Sequence, residues 1–139
     1  SNILDVGSGA GLPGIPLTVA RPRSHVTLLE SSQKKAAFLR QALIELGIKN
    51  ATVERTRAEN WRPARWFDLI VSRALADLPA FVNSTSHLLA PDGAFAAMKG
   101  AYPREELEHL PRGFRLSAAH PLSVPGLGAA RHLILIGRE

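Results

Sequence analysis

Along most of this chain, short apolar runs alternate with segments that have the pattern of helices. Short apolar runs have the length of buried strands and lie at residues 3–6, 25–30, 51–54, 67–71 and 94–98. Helices are predicted at residues 15–20, 33–46, 78–89 and 103–110, the last of them short and acidic with a proline at its start. Two later strands, at 114–124 and 132–137, are joined without a helix, which predicts an antiparallel pair. Strands that alternate with helices predict an α/β fold with a mostly parallel sheet and an antiparallel last strand.

The clearest helical segment covers residues 33–46, and Gly47 is suited to end it. Five apolar residues recur there at helical spacing, which predicts the helix: Phe38, Leu39, Ala42, Leu43 and Leu46. The next helix, at 78–89, is expected to stop at 90–93, where proline and glycine lie close together. The following strand should then begin only at residue 94.

Composition limits the kind of protein that this chain can be. It has 139 residues, 45% of them hydrophobic and 21% charged, which is enough for one packed domain. It has no cysteine, so disulfides and thiolate metal sites are excluded, and its five histidines share no metal-binding spacing. No apolar run approaches the roughly 20 residues of a membrane span, and no signal peptide is visible. We expect a single monomeric, cytoplasmic domain that binds no metal and does not associate with a membrane.

The charge balance is basic. The net charge is +5 at pH 7, and most of the 17 basic residues are arginine, whose planar guanidinium makes forked contacts with phosphate. This balance favours an anionic partner such as nucleic acid, although a basic surface that binds nothing specific is an equal alternative.

The first strand runs directly into a glycine-rich loop. Gly7, Gly9, Gly11 and Gly14 fall within eight residues and are followed by a short helix. Glycine lets the backbone turn through positive φ and lets a ligand approach closely, and a strand, a glycine loop and a helix together typically hold a nucleotide-like cofactor. A tight turn without a ligand is the alternative, but so many glycines weaken a fold unless the space is needed.

Two cofactors compete for this loop. Residues 9–14 match the dinucleotide pattern G-x-G-x-x-G, which would indicate a nicotinamide dehydrogenase. Residues 5–9 match the acidic-x-Gly-x-Gly pattern of S-adenosylmethionine loops, with Asp5 near the point where a cationic amino-acid group could sit. We prefer S-adenosylmethionine, because the dinucleotide interpretation leaves Asp5 unused and inserts Gly7 and Ser8 between the strand and the motif.

The ends of the second and third strands supply further candidates. Glu30 lies where an acidic residue can accept hydrogen bonds from ribose, although it could instead initiate the next helix. Residues 57–60 follow the third strand, where a backbone amide could contact an adenine edge or the segment could form a plain turn. Trp61 and Trp66 could stack a base, but we favour the alternative that they cover a sheet face.

Basic residues follow the fourth and fifth strands. Ligands of open sheets gather at such strand ends, so for Arg73 we favour a site role over an ion pair with an acid such as Asp77. Lys99 could meet RNA phosphate or a substrate oxygen, and a solvated lysine is the alternative.

Together these segments resemble the GidB (RsmG) family of small-subunit ribosomal RNA guanine-N7 methyltransferases. The glycine loop and its Gly-Leu-Pro-Gly-Ile-Pro extension carry the most specific part of the resemblance. Other segments also look like family motifs and lie at residues 27–31, 34–40, 71–74, 98–100 and 131–133. The resemblance covers essentially the whole chain.

The resemblance implies a class I methyltransferase fold, Rossmann-like and seven-stranded, with S-adenosylmethionine as the methyl donor. Carried over by position, it implies cofactor contacts at Gly7, Leu12, Ala58, Glu59 and Arg73. Glu30 takes the ribose position of the fold, and a side chain at Gly9 in the same loop would enter the cofactor's space. No catalytic residue is assigned, but Lys99 and Arg131 are candidates, together with Arg73, for holding RNA near the cofactor.

The resemblance also bears on domain organisation and partners. We expect one methyltransferase domain, residues 1–139, that lacks the helical segment which family members carry before the glycine loop. The expected partner is small-subunit ribosomal RNA or its particle. A small-molecule methyltransferase of the same fold, or a non-catalytic fragment that holds the cofactor or RNA, remains an alternative.

Overall fold

In a computed structural model, which describes residues 1–7, 11, 13–72, 77–122 and 131–139, seven strands form one sheet that is flanked by helices. The strands are β1 (Asn2–Val6), β2 (His25–Leu29), β3 (Ala51–Glu54), β4 (Phe67–Ser72), β5 (Leu89–Lys99), β6 (Phe114–Leu122) and β7 (Arg131–Arg138). The helices are α1 (Gly14–Ala20), α2 (Gln33–Glu45), α3 (Leu78–Thr85) and α4 (Arg104–Glu108), with 3₁₀ turns at Ala58–Asn60 and Ser86–Leu88.

The strand order is β3-β2-β1-β4-β5-β7-β6. Strands β1 to β5 pair in parallel, whereas β7 runs antiparallel to both β5 and β6. The predicted sheet, mostly parallel with an antiparallel last strand, is therefore confirmed. The order reverses between β1 and β4, and open sheets of this kind bind ligands outside the carboxyl ends of the strands at such a reversal.

Two hydrophobic clusters lie on opposite faces of the sheet, because successive side chains of a strand point to opposite sides. Leu4 of β1 belongs to the cluster that contains Phe81 of α3 and Phe95 of β5, whose ring centroids lie 5.4 Å apart. Its neighbour Ile3 belongs to the cluster that contains Leu39 of α2. The two clusters hold the strands in place, so that their carboxyl ends form one edge.

Helix α2 confirms the predicted segment, although only part of its apolar pattern is buried. Leu39 and Leu43 are buried, whereas Phe38 and Leu46 are 58% and 63% exposed. Phe38 is rotated by about 100° from Leu39 and therefore leaves the buried stripe. Leu46 is the C-cap residue and lies beyond the last helical turn, where Gly47 takes a φ of +65°.

Strand β5 begins earlier than predicted. The pairing with β4 shifts register between Phe67, which lies opposite Leu89, and Leu69, which lies opposite Ala94. The proline and glycine of residues 90–93 are thus accommodated in an irregular stretch of the strand, and they do not separate it from the preceding helix. Helix α3 accordingly ends at Thr85, and a 3₁₀ turn leads directly into the strand.

Candidate functional site

The end of the glycine loop is anchored by Asp5 of β1. Asp5 is fully buried, and its Oδ2 accepts a hydrogen bond of 2.8 Å from the backbone N–H of Gly14, the first residue of α1. A Cβ on Gly14 would overlap the Leu28 side chain and the same carboxylate, so only glycine lets α1 pack this closely on the sheet. We expected Asp5 near the cofactor's cationic group, and the structure shows that its carboxylate holds the end of the loop.

Gly7 directly follows β1 and lies at the carboxyl edge of the sheet. Its φ is +73°, a conformation that favours glycine, and its N–H donates a hydrogen bond of 2.9 Å to the carbonyl of Leu29. Among the described residues other than its chain neighbours, no atom lies within 4 Å of a Cβ built on Gly7. With respect to these residues, the space beside the Gly7 backbone is open.

Glu30 lies at the end of β2 and is 8% exposed. Its Oε2 accepts a hydrogen bond of 2.8 Å from the N–H of Ser32, and the Ser32 hydroxyl in turn accepts one of 3.3 Å from the N–H of Lys35. The carboxylate is thus held against the first turn of α2, where negative charge is favoured. Glu30 therefore lies at the start of a helix, as the helix-initiating alternative expects. It also lines a pocket, as a role in ribose binding would require.

The segment after β3 forms a 3₁₀ turn from Ala58 to Asn60. The N–H of Asn60 donates to the carbonyl of Arg57, and Ala58 is buried against the core while Glu59 is exposed. This packing fixes the backbone of Ala58 and Glu59 beside the ends of β1 and β2.

An open pocket lies at the ends of these three strands. Its lining includes four of the residues predicted to contact a cofactor: Gly7, Glu30, Ala58 and Glu59. The other lining residues are Val6, Leu29, Ser31, Thr56 and Arg57. The remaining predicted contacts, Gly9, Leu12 and Arg73, lie outside the described residues. The lining combines backbone without a side chain at Gly7 with the Glu30 carboxylate, which can accept hydrogen bonds from hydroxyl groups.

Lys99, at the end of β5, is not the solvated lysine considered as an alternative. Its side chain is 14% exposed, and its Nζ lies 2.7 Å from Oε1 of Glu106 in α4. The same Glu106 oxygen accepts a hydrogen bond of 2.8 Å from the N–H of Leu78, the first residue of α3. Sequence reasoning missed Glu106, because 28 residues separate it from Leu78 and no local pattern marks the contact.

The two tryptophans differ in their environments. Trp61 packs against the hydrophobic cluster, with its ring centroid 5.6 Å from that of Phe67, which confirms the covering role that we favoured. Trp66 is 61% exposed and precedes β4, so it does not share that role. Asp77 caps α3 by accepting a hydrogen bond from the N–H of Ala80, while its predicted alternative partner Arg73 lies outside the described residues.

The sequence predicts neither a metal site nor a membrane span. Among the residues that the structure describes, no group of three or more His, Asp or Glu side chains is arranged to hold a metal. In the same part of the chain, no helix has the length and apolar character needed to cross a membrane.

Comparison with solved structures identifies the fold. The chain is similar to a glycopeptide N-methyltransferase, MtfA, solved with S-adenosyl-L-homocysteine, with a TM-score of 0.84 and 15% identity over 100% of this chain and 82% of that one. It is also similar to TrmN from Thermus thermophilus, with a TM-score of 0.78 and 21% identity over 99% of this chain and 44% of that one. The fold is that of the class I methyltransferases, as predicted.

Comparison of sequences is more specific. The chain is 55% identical to a ribosomal RNA small subunit methyltransferase G of Aromatoleum aromaticum, over 100% of this chain and 68% of that protein. It is 51% identical to the protein of the same name in Chromobacterium violaceum, over 96% and 64% respectively. The chain thus spans about two thirds of the length of these curated relatives. The family model GidB, described as rRNA small subunit methyltransferase G, matches residues 1–134. This chain therefore belongs to the GidB family.

Proposed function

We propose that this chain is the S-adenosylmethionine-binding domain of an enzyme that methylates N7 of a guanine in small-subunit ribosomal RNA. The observation that carries the proposal is the pocket in which Gly7, Glu30, Ala58 and Glu59 meet. Membership of the GidB family, and the names of the relatives, support ribosomal RNA as the substrate.

The pocket suggests how the adenosine part of the cofactor would be held. The Glu30 carboxylate would accept hydrogen bonds from the ribose hydroxyls, since a carboxylate has about four acceptor positions and can serve Ser32 as well. The backbone at Ala58 and Glu59 would contact the adenine edge. Gly7 would let the ligand lie directly against the backbone, because it has no side chain and no other described residue fills that space.

Three further proposed cofactor contacts rest on the sequence pattern and the family resemblance. They are Gly9, Leu12 and Arg73, which lie outside the described residues. Gly9 and Leu12 belong to the loop between β1 and α1, and Arg73 directly follows β4. We propose that they complete the site around the amino-acid part of the cofactor.

The proposed reaction asks little proton chemistry of the protein. S-adenosylmethionine supplies an electrophilic methyl group bonded to a positively charged sulfur. Guanine N7 carries a lone pair and no proton, so the chain needs no general base. Its task is to hold N7 and the methyl group in line at short distance, which by itself can lower a barrier substantially.

The RNA would approach from the side of the edge formed by β4, β5 and β7, because the cofactor pocket occupies the side formed by β1, β2 and β3. Lys99 ends β5, and Arg131 begins β7, so both are placed on the RNA side. We retain both as candidates for positioning RNA. For Lys99, a direct phosphate contact would have to compete with its ion pair to Glu106.

The first test concerns the cofactor. Calorimetric titration should show binding of S-adenosylmethionine in preference to NAD. Preference for NAD would overturn the assignment of the pocket.

The second test concerns the reaction. Transfer of tritium from methyl-labelled S-adenosylmethionine should be measured on deproteinised small-subunit RNA and on small-subunit particles, and the labelled nucleoside compared with authentic N7-methylguanosine. Label at another atom would overturn the guanine-N7 assignment. Cofactor binding with no transfer to either substrate would favour the non-catalytic alternative.

A further inference from the structure

The RNA side of the carboxyl edge carries an exposed aromatic ring, that of Tyr102. This residue follows β5 by three positions and is 41% exposed. Lys99 of β5 lies opposite His132 of β7, so the segment that carries Tyr102 leaves the sheet beside the start of β7. The ring therefore lies across β4 from the cofactor pocket, on the half of the edge that remains for a methyl acceptor.

The ring is held in place by two neighbours. Its centroid lies 6.1 Å from that of His132, at an interplanar angle of 79°. The Nδ1–H of His132 donates a hydrogen bond of 3.0 Å to the carbonyl of Gly100, which fixes the imidazole. The guanidinium carbon of Arg104 lies 5.7 Å from the Tyr102 centroid, in the range of a cation–π contact.

The backbone around the ring is also ordered by contacts. The N–H of Arg104 donates a hydrogen bond of 3.0 Å to the carbonyl of Tyr102, and the N–H of Leu107 donates to the carbonyl of Pro103 at the start of α4. The ion pair between Lys99 and Glu106 joins β5 to α4 on either side of this segment. Tyr102 thus combines an exposed ring with a backbone that is fixed at both ends.

We propose that Tyr102, supported by His132 and Arg104, is a stacking platform for a nucleobase of the RNA substrate; this inference rests on the proposed function. Aromatic rings and arginine planes are the usual stacking partners of unpaired RNA bases. Stacking tolerates any base, because every base has a π-face, so the platform would hold the RNA near the acceptor without reading its sequence. Arg104 adds positive charge beside the ring, where the phosphate backbone would pass.

The experiment measures affinity for deproteinised small-subunit RNA by filter binding at several salt concentrations. Tyr102→Leu removes the ring, whereas Tyr102→Phe retains it. Trp66→Leu is the matched control, because Trp66 is also exposed but precedes β4 and therefore lies at the opposite edge of the sheet. S-adenosylmethionine affinity and unfolding temperature are measured for every variant.

Tyr102→Leu should weaken RNA binding by about five- to a hundredfold, the range found for single stacked bases. The slope of log affinity against log salt should not change, since no charge is removed. Tyr102→Phe should restore most of the affinity, and Trp66→Leu should leave it unchanged. Affinity for S-adenosylmethionine should stay the same in all three variants.

Three results would overturn the platform alone: RNA affinity within twofold of wild type in Tyr102→Leu, an equal loss in Tyr102→Phe, or an equal loss in Trp66→Leu. A wild-type chain that binds S-adenosylmethionine but no RNA would overturn the RNA substrate and the platform together. The measurement on the wild-type chain therefore distinguishes failure of the platform from failure of the proposed RNA substrate.

Discussion

The pocket at the carboxyl edge and a groove on one face of the sheet are built from different parts of the strands. The pocket uses residues at or just after strand ends, among them Gly7 and Glu30. The groove has an empty volume of about 660 Å³ and is formed mainly by residues within β4, β5 and β7. Its lining is almost entirely apolar: Pro13, Leu17, Leu69, Val71, Ser72, Ala96, Ala97, Met98, Leu133 and Leu135.

This difference follows from the backbone. Within a strand, the peptide N–H and C=O groups form hydrogen bonds with neighbouring strands. Only the side chains on one face are therefore available to line a groove. At a strand end, the chain turns, so glycines, backbone amides and a carboxylate can be directed at a ligand. We therefore expect substitutions in the pocket to change ligand affinity, and substitutions in the groove to change only packing.

The largest expected effect compares two neighbours in β7. Ile134 is fully buried in the cluster that contains Phe81 and Phe95, whereas Leu133 lines the groove and is only partly buried. Ile134→Ala should lower the free energy of unfolding by about 2–5 kcal/mol, and Leu133→Ala by about 1 kcal/mol. Urea unfolding monitored by circular dichroism measures both. Equal losses would mean that the groove is as tightly packed as the core and would remove the contrast.

The second prediction concerns Gly7. Gly7→Val should weaken S-adenosylmethionine binding by at least a hundredfold, about 2.8 kcal/mol, because the side chain would enter the space in which the ligand is proposed to lie. Gly113→Val is the matched control, since Gly113 also has a positive φ, +94°, and no atom of the described residues, its chain neighbours aside, lies within 4 Å of an added Cβ. Both variants should lose stability through backbone strain of about 1–3 kcal/mol. Calorimetry that finds equal affinities in the two variants would contradict the pocket assignment.

The smallest expected effect concerns Glu30. Glu30→Gln should weaken S-adenosylmethionine binding by about tenfold, or ~1.4 kcal/mol, because a charged acceptor for the ribose hydroxyls is lost. Glu54→Gln makes the same chemical change at the end of the neighbouring strand β3, on an exposed residue outside the pocket lining. It should leave the affinity unchanged. If Glu30→Gln bound S-adenosylmethionine as tightly as the wild type, Glu30 would have a structural role, such as its contact with Ser32, and no role in ribose binding.

Much of the site could be predicted because it depends on local order and on one rule of topology. The glycine spacing, the end of the second strand at Glu30 and the loop at 57–60 can each be read locally. The carboxyl ends of parallel strands meet at one edge, so these segments were expected together, and the structure brings them into one pocket. Their contact with a cofactor stays a prediction.

Other features could not be predicted, because a local pattern does not say what lies across the fold. Phe38 and Leu46 match a helical apolar face, yet only the docking of α2 decides which side is buried, and both are exposed. Proline and glycine at 90–93 match a turn, but pairing with β4 accommodates them in β5.

The sequence by itself determined the succession of strands and helices along the chain, the glycines that follow the first strand, and the family to which the chain belongs. These features depend on periodicity and on residue identity. The tertiary structure decided that the Asp5 carboxylate binds the start of α1 and that Lys99 pairs with Glu106. It also decided that Tyr102 stays exposed beside His132. Those outcomes depend on which groups meet when different segments pack together. Burial of a charged group costs free energy unless a partner is present, so the packing decides which charges can be buried.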